Sequence, residues 1–152
     1  MEQDFTMDEL HIDDFYKDCA IVLLRLYRSF PRKVSVYVGD LCGYEETDDI
    51  GLYSDRFQAC FAAIVWLTEE GYIRHAGSIG QEAIELATLT QLGFSHLSGR
   101  PIKTSQSKTG EFPTLAAQLH HAITQSTSED VSTITRQIIQ NLSLHKTHNT
   151  VH

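Results

Sequence analysis

The sequence lacks any long hydrophobic run, since its longest apolar stretch is the nine residues Ala59–Leu67. A bilayer-spanning helix needs roughly 20 such residues, so we expect no membrane segment, and the acidic start does not resemble a signal peptide. The chain contains only three cysteines, Cys19, Cys42 and Cys60, with no CxxC spacing. This usage is typical of buried, reduced thiols in a cytoplasmic protein rather than of a disulfide scaffold or a zinc site.

The chain also lacks the motifs of common catalytic sites. It contains no GxSxG nucleophile elbow and no HExxH zinc motif. Gly77–Gly80 resembles half of a phosphate loop, but it leads into an expected strand and not into a helix N-terminus. His145, His148 and His152 have helical spacing, yet they lie among polar residues in the last stretch, where we expect a frayed tail. We therefore predict a protein that is not an enzyme and that carries no cofactor and no metal.

Positive charge is scarce, because 12 lysines and arginines face 20 aspartates and glutamates, for a formal net charge of −8. Residues 1–18 carry −6, residues 19–52 carry −1 and residues 53–99 carry −3, whereas residues 100–152 carry +2. Proteins that bind nucleic acid usually present a basic face. The charge distribution therefore disfavours DNA as the main partner.

Hydrophobic periodicity predicts the first helix. Between Asp13 and Phe30 apolar residues recur every three or four positions, as on one face of a helix, and Pro31 ends it because proline lacks the amide donor. The preceding residues 1–13 form an acidic segment, in which Thr6 and Glu9 are placed as a capping box for a short leading turn.

A strand and a second, brief helix follow. Residues 34–38 alternate with a period of two and are rich in β-branched side chains, which predicts a strand. Asp40 is placed to cap a short helix over residues 41–44. Residues 45–51 are acidic and end in glycine, which is typical of an exposed loop.

The central stretch predicts a helix, a two-stranded ribbon and another helix. Ser54 is a typical helix N-cap, and Gly71 is a typical C-terminal residue because it adopts a positive φ without strain. Strands are expected over 72–76 and 83–89, joined by a turn at 77–80 whose two glycines suit a hairpin. Thr90 is then expected to cap a helix that runs to Leu97.

The last third has a different composition. Residues 99–113 contain two prolines, two glycines and three bases, which indicates a flexible linker. Residues 114–144 contain two amphipathic stretches, the second opened by a capping box at 126–129, and are expected to form a helical hairpin before a disordered tail at 145–152. Such short helices need a surface to dock on. The candidates are the preceding domain, a second copy of the chain or another protein.

Two strings carry a resemblance to a known superfamily. LTEEGYI (Leu67–Ile73) is similar to the helix end and first wing strand of winged-helix proteins, and LATLTQLGFSHL (Leu86–Leu97) resembles the second wing strand and closing helix of MarR-like transcription regulators. The resemblance covers residues 14–98. It implies a winged helix-turn-helix of the α+β class, mainly α, with a two- or three-stranded antiparallel sheet. Members of this superfamily serve as DNA-binding regulators or as protein-interaction modules.

The outer face of the central helix departs from the DNA-binding pattern, since Ala59, Ala62, Ala63 and Trp66 replace the expected polar and basic residues. An apolar second face indicates a surface covered by protein. We therefore predict a cytoplasmic interaction or assembly module that forms a homo-oligomer or joins a larger complex. The expected interface residues are Ala59, Ala63, Trp66, Val131, Ile134, Ile138 and Leu142.

The alternative prediction is a DNA-binding transcriptional regulator. Its contact residues would be Arg28, Arg32, Lys33, Arg56, Gln58 and Arg74. The cluster at the end of the first helix suits phosphate contacts, although favourable charge at a helix C-terminus and a solvated face explain it better. A third hypothesis is that the basic linker at 100–108 or the final helix binds an acidic surface.

Overall fold

The computed structural model describes residues 2–104, 110–125 and 128–151, with side chains described from residue 10 to residue 139 within those ranges. In chain order these residues form α1 (Glu2–Ser29), β1 (Val34–Tyr37), α2 (Val38–Cys42), α3 (Asp55–Glu69), β2 (Ile73–Arg74), β3 (Gly77–Ile79), β4 (Ala83–Leu89), α4 (Gln91–Leu97), α5 (Leu115–Gln125) and α6 (Ser128–Val151). The architecture is α+β and mainly helical, with a small antiparallel sheet of four strands.

The first helix is longer than the sequence predicts. α1 begins at Glu2, so the expected separate acidic segment and the capping box at Thr6 fall inside one continuous helix. The helix ends at Ser29, two residues before Pro31, as predicted. Its buried stripe includes Cys19, Val22 and Leu26, which are all fully inaccessible to solvent.

The sheet is built around β4. β1 pairs with one edge of β4, and β2 and β3 pair with successive halves of the other edge, so the sheet has four strands and not two or three. The hairpin turn lies at residues 80–82 and not at 77–80, because Ser78 is already in register with Ile84. Of the two glycines assigned to the turn, only Gly80 has a positive φ, of 51°.

The local signals at the ends of α3 and α4 are confirmed. The Ser54 hydroxyl accepts a hydrogen bond from the Phe57 amide at 3.2 Å, and the Thr90 hydroxyl accepts one from the Gly93 amide at 3.1 Å. Gly71 has a φ of 85° directly after the last turn of α3. Ser54 and Gly71 therefore mark the two ends of α3, and Thr90 marks the start of α4.

Asp40 does not cap a helix, contrary to the prediction. It lies inside α2, which begins at Val38 without a side-chain cap. Its carboxylate instead accepts hydrogen bonds from the Tyr44 hydroxyl at 2.6 Å and from Arg25 at 3.2 Å, and the Tyr44 bond lowers the pKa of Asp40. Residues 45–51 contain no helix or strand, as predicted for this acidic loop, whereas residues 43 and 44, expected to end the short helix, lie outside α2.

The C-terminal hairpin docks on this chain's own domain, the first of the three candidates left open by the sequence. α5 and α6 pack against each other and against α1, and the Tyr72 hydroxyl donates a 2.9 Å hydrogen bond to the Ile139 carbonyl of α6. α6 continues to Val151, so the backbone at 145–151 is helical rather than a disordered tail. The hairpin completes the single hydrophobic core that α1, α3 and the sheet begin.

The linker is anchored to α5 where the structure describes it. Residues 99–104 form no helix or strand, as expected. The buried Gln118 amide nevertheless bonds both backbone groups of Ile102, at 2.6 and 2.9 Å. Residues 105–109, and the first half of the capping box expected at 126–129, lie outside the described residues.

Candidate functional site

A groove of about 420 Å³ lies between α1 and the outer face of α3. Helical spacing on each side creates it, since the residues that line it recur every three or four positions on both helices. We call it the α1–α3 groove. It is lined by His11, Asp14, Phe15 and Asp18 of α1 and by Asp55, Arg56, Ala59, Ala62, Ala63 and Trp66 of α3.

The floor of the groove is apolar and made of small side chains. Ala62 is exposed and Ala59 is half-buried, so no large side chain separates solvent from the helix backbone there. Trp66 bounds the floor, with its ring in edge-to-face contact with Phe15 at 5.2 Å and stacked near Tyr72 at 5.9 Å. The half-buried indole is therefore held by two aromatic neighbours and is ordered before any partner arrives.

A partly buried ion pair lines the groove. The Arg56 guanidinium donates two hydrogen bonds of 2.7 Å to the two carboxylate oxygens of Asp18, whose side chain is only 2% exposed. This hydrogen bonding raises the pKa of Arg56. Asp14 lies 3.7 Å from the same guanidinium. The Arg56 side chain therefore pairs with carboxylates of α1.

The rim of the groove carries excess negative charge. Three carboxylates and one guanidinium line it, so its formal charge is −2 with His11 neutral. The Asp14 side chain is 50% exposed, and Asp55 is exposed at the start of α3. Because Asp18 and Arg56 neutralise each other, Asp14 and Asp55 supply the charge that an incoming molecule meets.

The residues expected to contact DNA lie on several elements, and two of them are engaged within the chain. Arg56 is bound to Asp18, and the Gln58 amide donates a 2.8 Å hydrogen bond to the Tyr53 carbonyl. Both side chains expected to read bases are therefore engaged within the chain. The remaining four residues are exposed but lie on other elements: Arg28 on α1, Arg32 and Lys33 in the turn after it, and Arg74 on β2.

Four of the seven residues expected at a protein interface are buried inside the chain. Ala63 is 2% exposed, and Val131, Ile134 and Ile138 are 6%, 1% and 0% exposed, so all four lie in the core. The apolar stripe of α6 covers α1 and α5 and is therefore not available to a partner. Ala59 and Trp66 remain at the surface of the groove. The side chain of Leu142 lies outside the part of the chain whose side chains are described.

The three cysteines are not among the residues that line the groove. Cys19 and Cys60 are fully buried, and burial raises the pKa of both thiols. Cys42 is half-buried and donates a weak hydrogen bond to the Val38 carbonyl at 3.5 Å. In the described part of the chain no group of three or more histidine, cysteine or acidic residues is placed to hold a metal ion. The side chains of His145, His148 and His152 are not part of that description.

Sequence reasoning found the α3 side of the groove and missed the α1 side. His11, Asp14, Phe15 and Asp18 stand at positions i, i+3, i+4 and i+7 of one helix face. One signal for them was available. Asp18 sits three residues after Phe15 and four before Val22, so it falls on the apolar stripe of α1, where an acid needs a buried partner.

Comparison with known proteins gives no match, because no family model, no curated protein and no solved structure is significantly similar to this chain. Among the helices that the structure describes, none is both long and apolar enough to cross a bilayer. Function is therefore inferred from the groove and from the charges around it.

Proposed function

We propose that this protein is a cytoplasmic, non-enzymatic interaction module with a winged-helix architecture, and that it binds a partner protein in the α1–α3 groove. The observation that carries the proposal is the apolar, small-residue floor on the outer face of α3, where Ala62 is exposed beside the half-buried Trp66.

The element order supports the winged-helix assignment. Three helices, α1, α2 and α3, precede a β-hairpin, and β1 lies beside the second strand of that hairpin in the order β1-β4-β2. α4 closes the unit after the Thr90 cap. This arrangement agrees with the winged-helix resemblance of Leu67–Ile73 and Leu86–Leu97.

The shape of the groove supports a protein partner. Interfaces between proteins are centred on aromatic anchors in desolvated pockets and are surrounded by a polar rim. Trp66 and Phe15 supply the aromatic edge, the alanines allow a partner's backbone to approach closely, and the carboxylates supply the rim. The DNA-binding alternative has less support, because Arg56 and Gln58 are engaged within the chain.

Affinity capture with matched variants tests this function. The wild-type chain, Ala62→Arg and Ala76→Arg are each immobilised and exposed to an extract of the source cells. Both alanines are exposed, so the same substitution adds equal bulk and charge inside the groove and, at Ala76, between β2 and β3, outside the residues that line it. Unchanged thermal unfolding confirms that each variant is folded.

We expect a partner protein to be retained by the wild type and by Ala76→Arg and to be lost from Ala62→Arg. Arginine there fills the floor of the groove, and a loss of about tenfold corresponds to 1.4 kcal/mol of binding free energy. The proposed function would be overturned if all three chains retained the same proteins, or if none of them retained any protein.

A further inference from the structure

The charges around the groove indicate which class of partner it accepts. We infer that the occupant of the α1–α3 groove is a basic amphipathic helix from a different protein, with small apolar residues on one face and lysine or arginine at its edges. This inference rests on the proposed function and adds the chemistry and the secondary structure of the partner.

A helix fits the shape of the groove. Two helices form its walls, and a third helix packs into such a groove when small residues allow its axis to approach to about 8–10 Å. Ala59 and Ala62 provide that approach. From Asp55 to Trp66 the floor is roughly 16 Å long at 1.5 Å per residue, or about three helical turns. A segment of about 12–16 residues is therefore the expected length.

The charge selects a basic helix. Asp14 and Asp55 stand on opposite walls of the groove, one on each helix, and both are accessible to solvent. Arg56 offsets only part of this charge, because its guanidinium is hydrogen-bonded to both oxygens of Asp18 and lies 3.7 Å from Asp14, so the three carboxylates of the groove leave a formal charge of −2. A lysine or arginine at each edge of an incoming helix would pair with these two carboxylates, whereas an acidic helix would be repelled.

A second copy of this chain is a poor occupant. Its formal net charge of −8 would bring further negative charge to an acidic rim. Its own exposed basic cluster, Arg28, Arg32 and Lys33, surrounds the turn at Pro31, so these residues cannot be presented on one face of a free helix. Charge complementarity therefore favours a heterotypic partner.

A displayed library of 16-residue helices tests the inference. One helical face is limited to small apolar residues, and its edges are randomised among lysine, arginine, aspartate, glutamate and glutamine, so that acid and base have equal chances. The library is selected on the wild-type chain, with Ala76→Arg as a control. Selected peptides are then measured against Ala62→Arg and against Asp14→Asn combined with Asp55→Asn.

We expect selected peptides to carry lysine or arginine at the edges and to lose at least about tenfold in affinity on Ala62→Arg. Removing both carboxylates should weaken binding by about threefold to tenfold, an effect that diminishes at high salt. Acidic or neutral peptides that depend on Ala62 would overturn the partner class and leave the proposed function standing. The partner class would also be overturned if the chain alone sedimented as a dimer and Ala62→Arg converted that dimer into a monomer. If no peptide depends on Ala62 and capture also fails, the groove is not a binding site and both proposals are wrong.

Discussion

Arg56 and Asp18 join α3 to α1 through two parallel hydrogen bonds of 2.7 Å between a guanidinium and a carboxylate that lie 38 positions apart in the sequence. The Asp18 side chain is buried, whereas that of Arg56 is 37% exposed. The pair therefore links the two walls of the groove. It also engages, within the chain, the arginine that a DNA-binding function would use on α3.

Replacing Arg56 by methionine should lower the free energy of unfolding by about 3 kcal/mol, because the Asp18 carboxylate would stay buried without a partner. Replacing both residues, Asp18→Leu with Arg56→Met, should recover much of that loss, since apolar pairs often substitute for buried ion pairs. Urea unfolding measures all three chains. As a control, Arg25→Ala removes an exposed ion pair with Asp40 and should cost less than about 1 kcal/mol. Equal losses from Arg25→Ala and Arg56→Met would contradict this account.

Tyr72→Phe should lower stability at neutral pH and change its alkaline dependence. Loss of the hydrogen bond to Ile139 should cost about 1 kcal/mol. Burial, with a smaller effect from Glu70, raises the pKa of Tyr72, so its contribution is complete below the unfolded pKa near 10 and is lost as the pH rises beyond it. The difference between wild type and variant should therefore shrink above about pH 10. A constant difference from neutral pH to pH 11 would show that the hydroxyl is not buried.

Gly93→Ala should destabilise the start of α4. A Cβ at this position would meet the Tyr72 carbonyl oxygen, which is backbone and cannot move aside. We expect a net loss of about 1–2 kcal/mol, because the clash exceeds the roughly 1 kcal/mol that alanine gains in a helix. Gly77→Ala is the control, since nothing lies within 4 Å of its added Cβ. Thermal unfolding measures both, and equal midpoints would place α4 farther from β2.

One thiol should react faster than the other two under native conditions. Burial raises the pKa of all three thiols, but Cys42 is partly accessible, whereas Cys19 and Cys60 are fully buried. A coloured disulfide reagent at pH 8 should label one equivalent in the folded protein and three in denaturant. Cys42→Ser should abolish the native reaction. Two or more thiols that react at the same native rate would contradict the packing of α2 on α3.

The parts of the fold that sequence reasoning predicted are those with local chemical signals. Ser54, Gly71 and Thr90 mark helix ends because each satisfies or permits a specific backbone geometry at that position. The sequence placed the hairpin turn wrongly, because Gly77 and Gly80 are equally suitable turn residues. Only the pairing with β4 shows that Gly77 lies in a strand and Gly80 in the turn.

The parts that sequence reasoning missed depend on contacts between distant segments. Val131 and Ile138 have the periodicity of a buried stripe, but periodicity does not say which surface buries them. In the structure they lie in the core, and α6, which carries them, packs against α1 and α5. In the same way, Asp18 is visible as an acid on an apolar face, whereas its partnership with Arg56 appears only when α1 and α3 are packed together.

Fluorescence of Trp66 tests the central claim most directly, because it is the single tryptophan of the chain and bounds the α1–α3 groove. The measurement follows its emission and its quenching by acrylamide while a tryptophan-free partner segment is added, first to the wild type and then to Ala62→Arg. We predict a saturable blue shift and reduced quenching in the wild type only, since a bound helix removes the indole from water. Binding that leaves the emission and quenching of Trp66 unchanged would place the partner elsewhere and contradict the account.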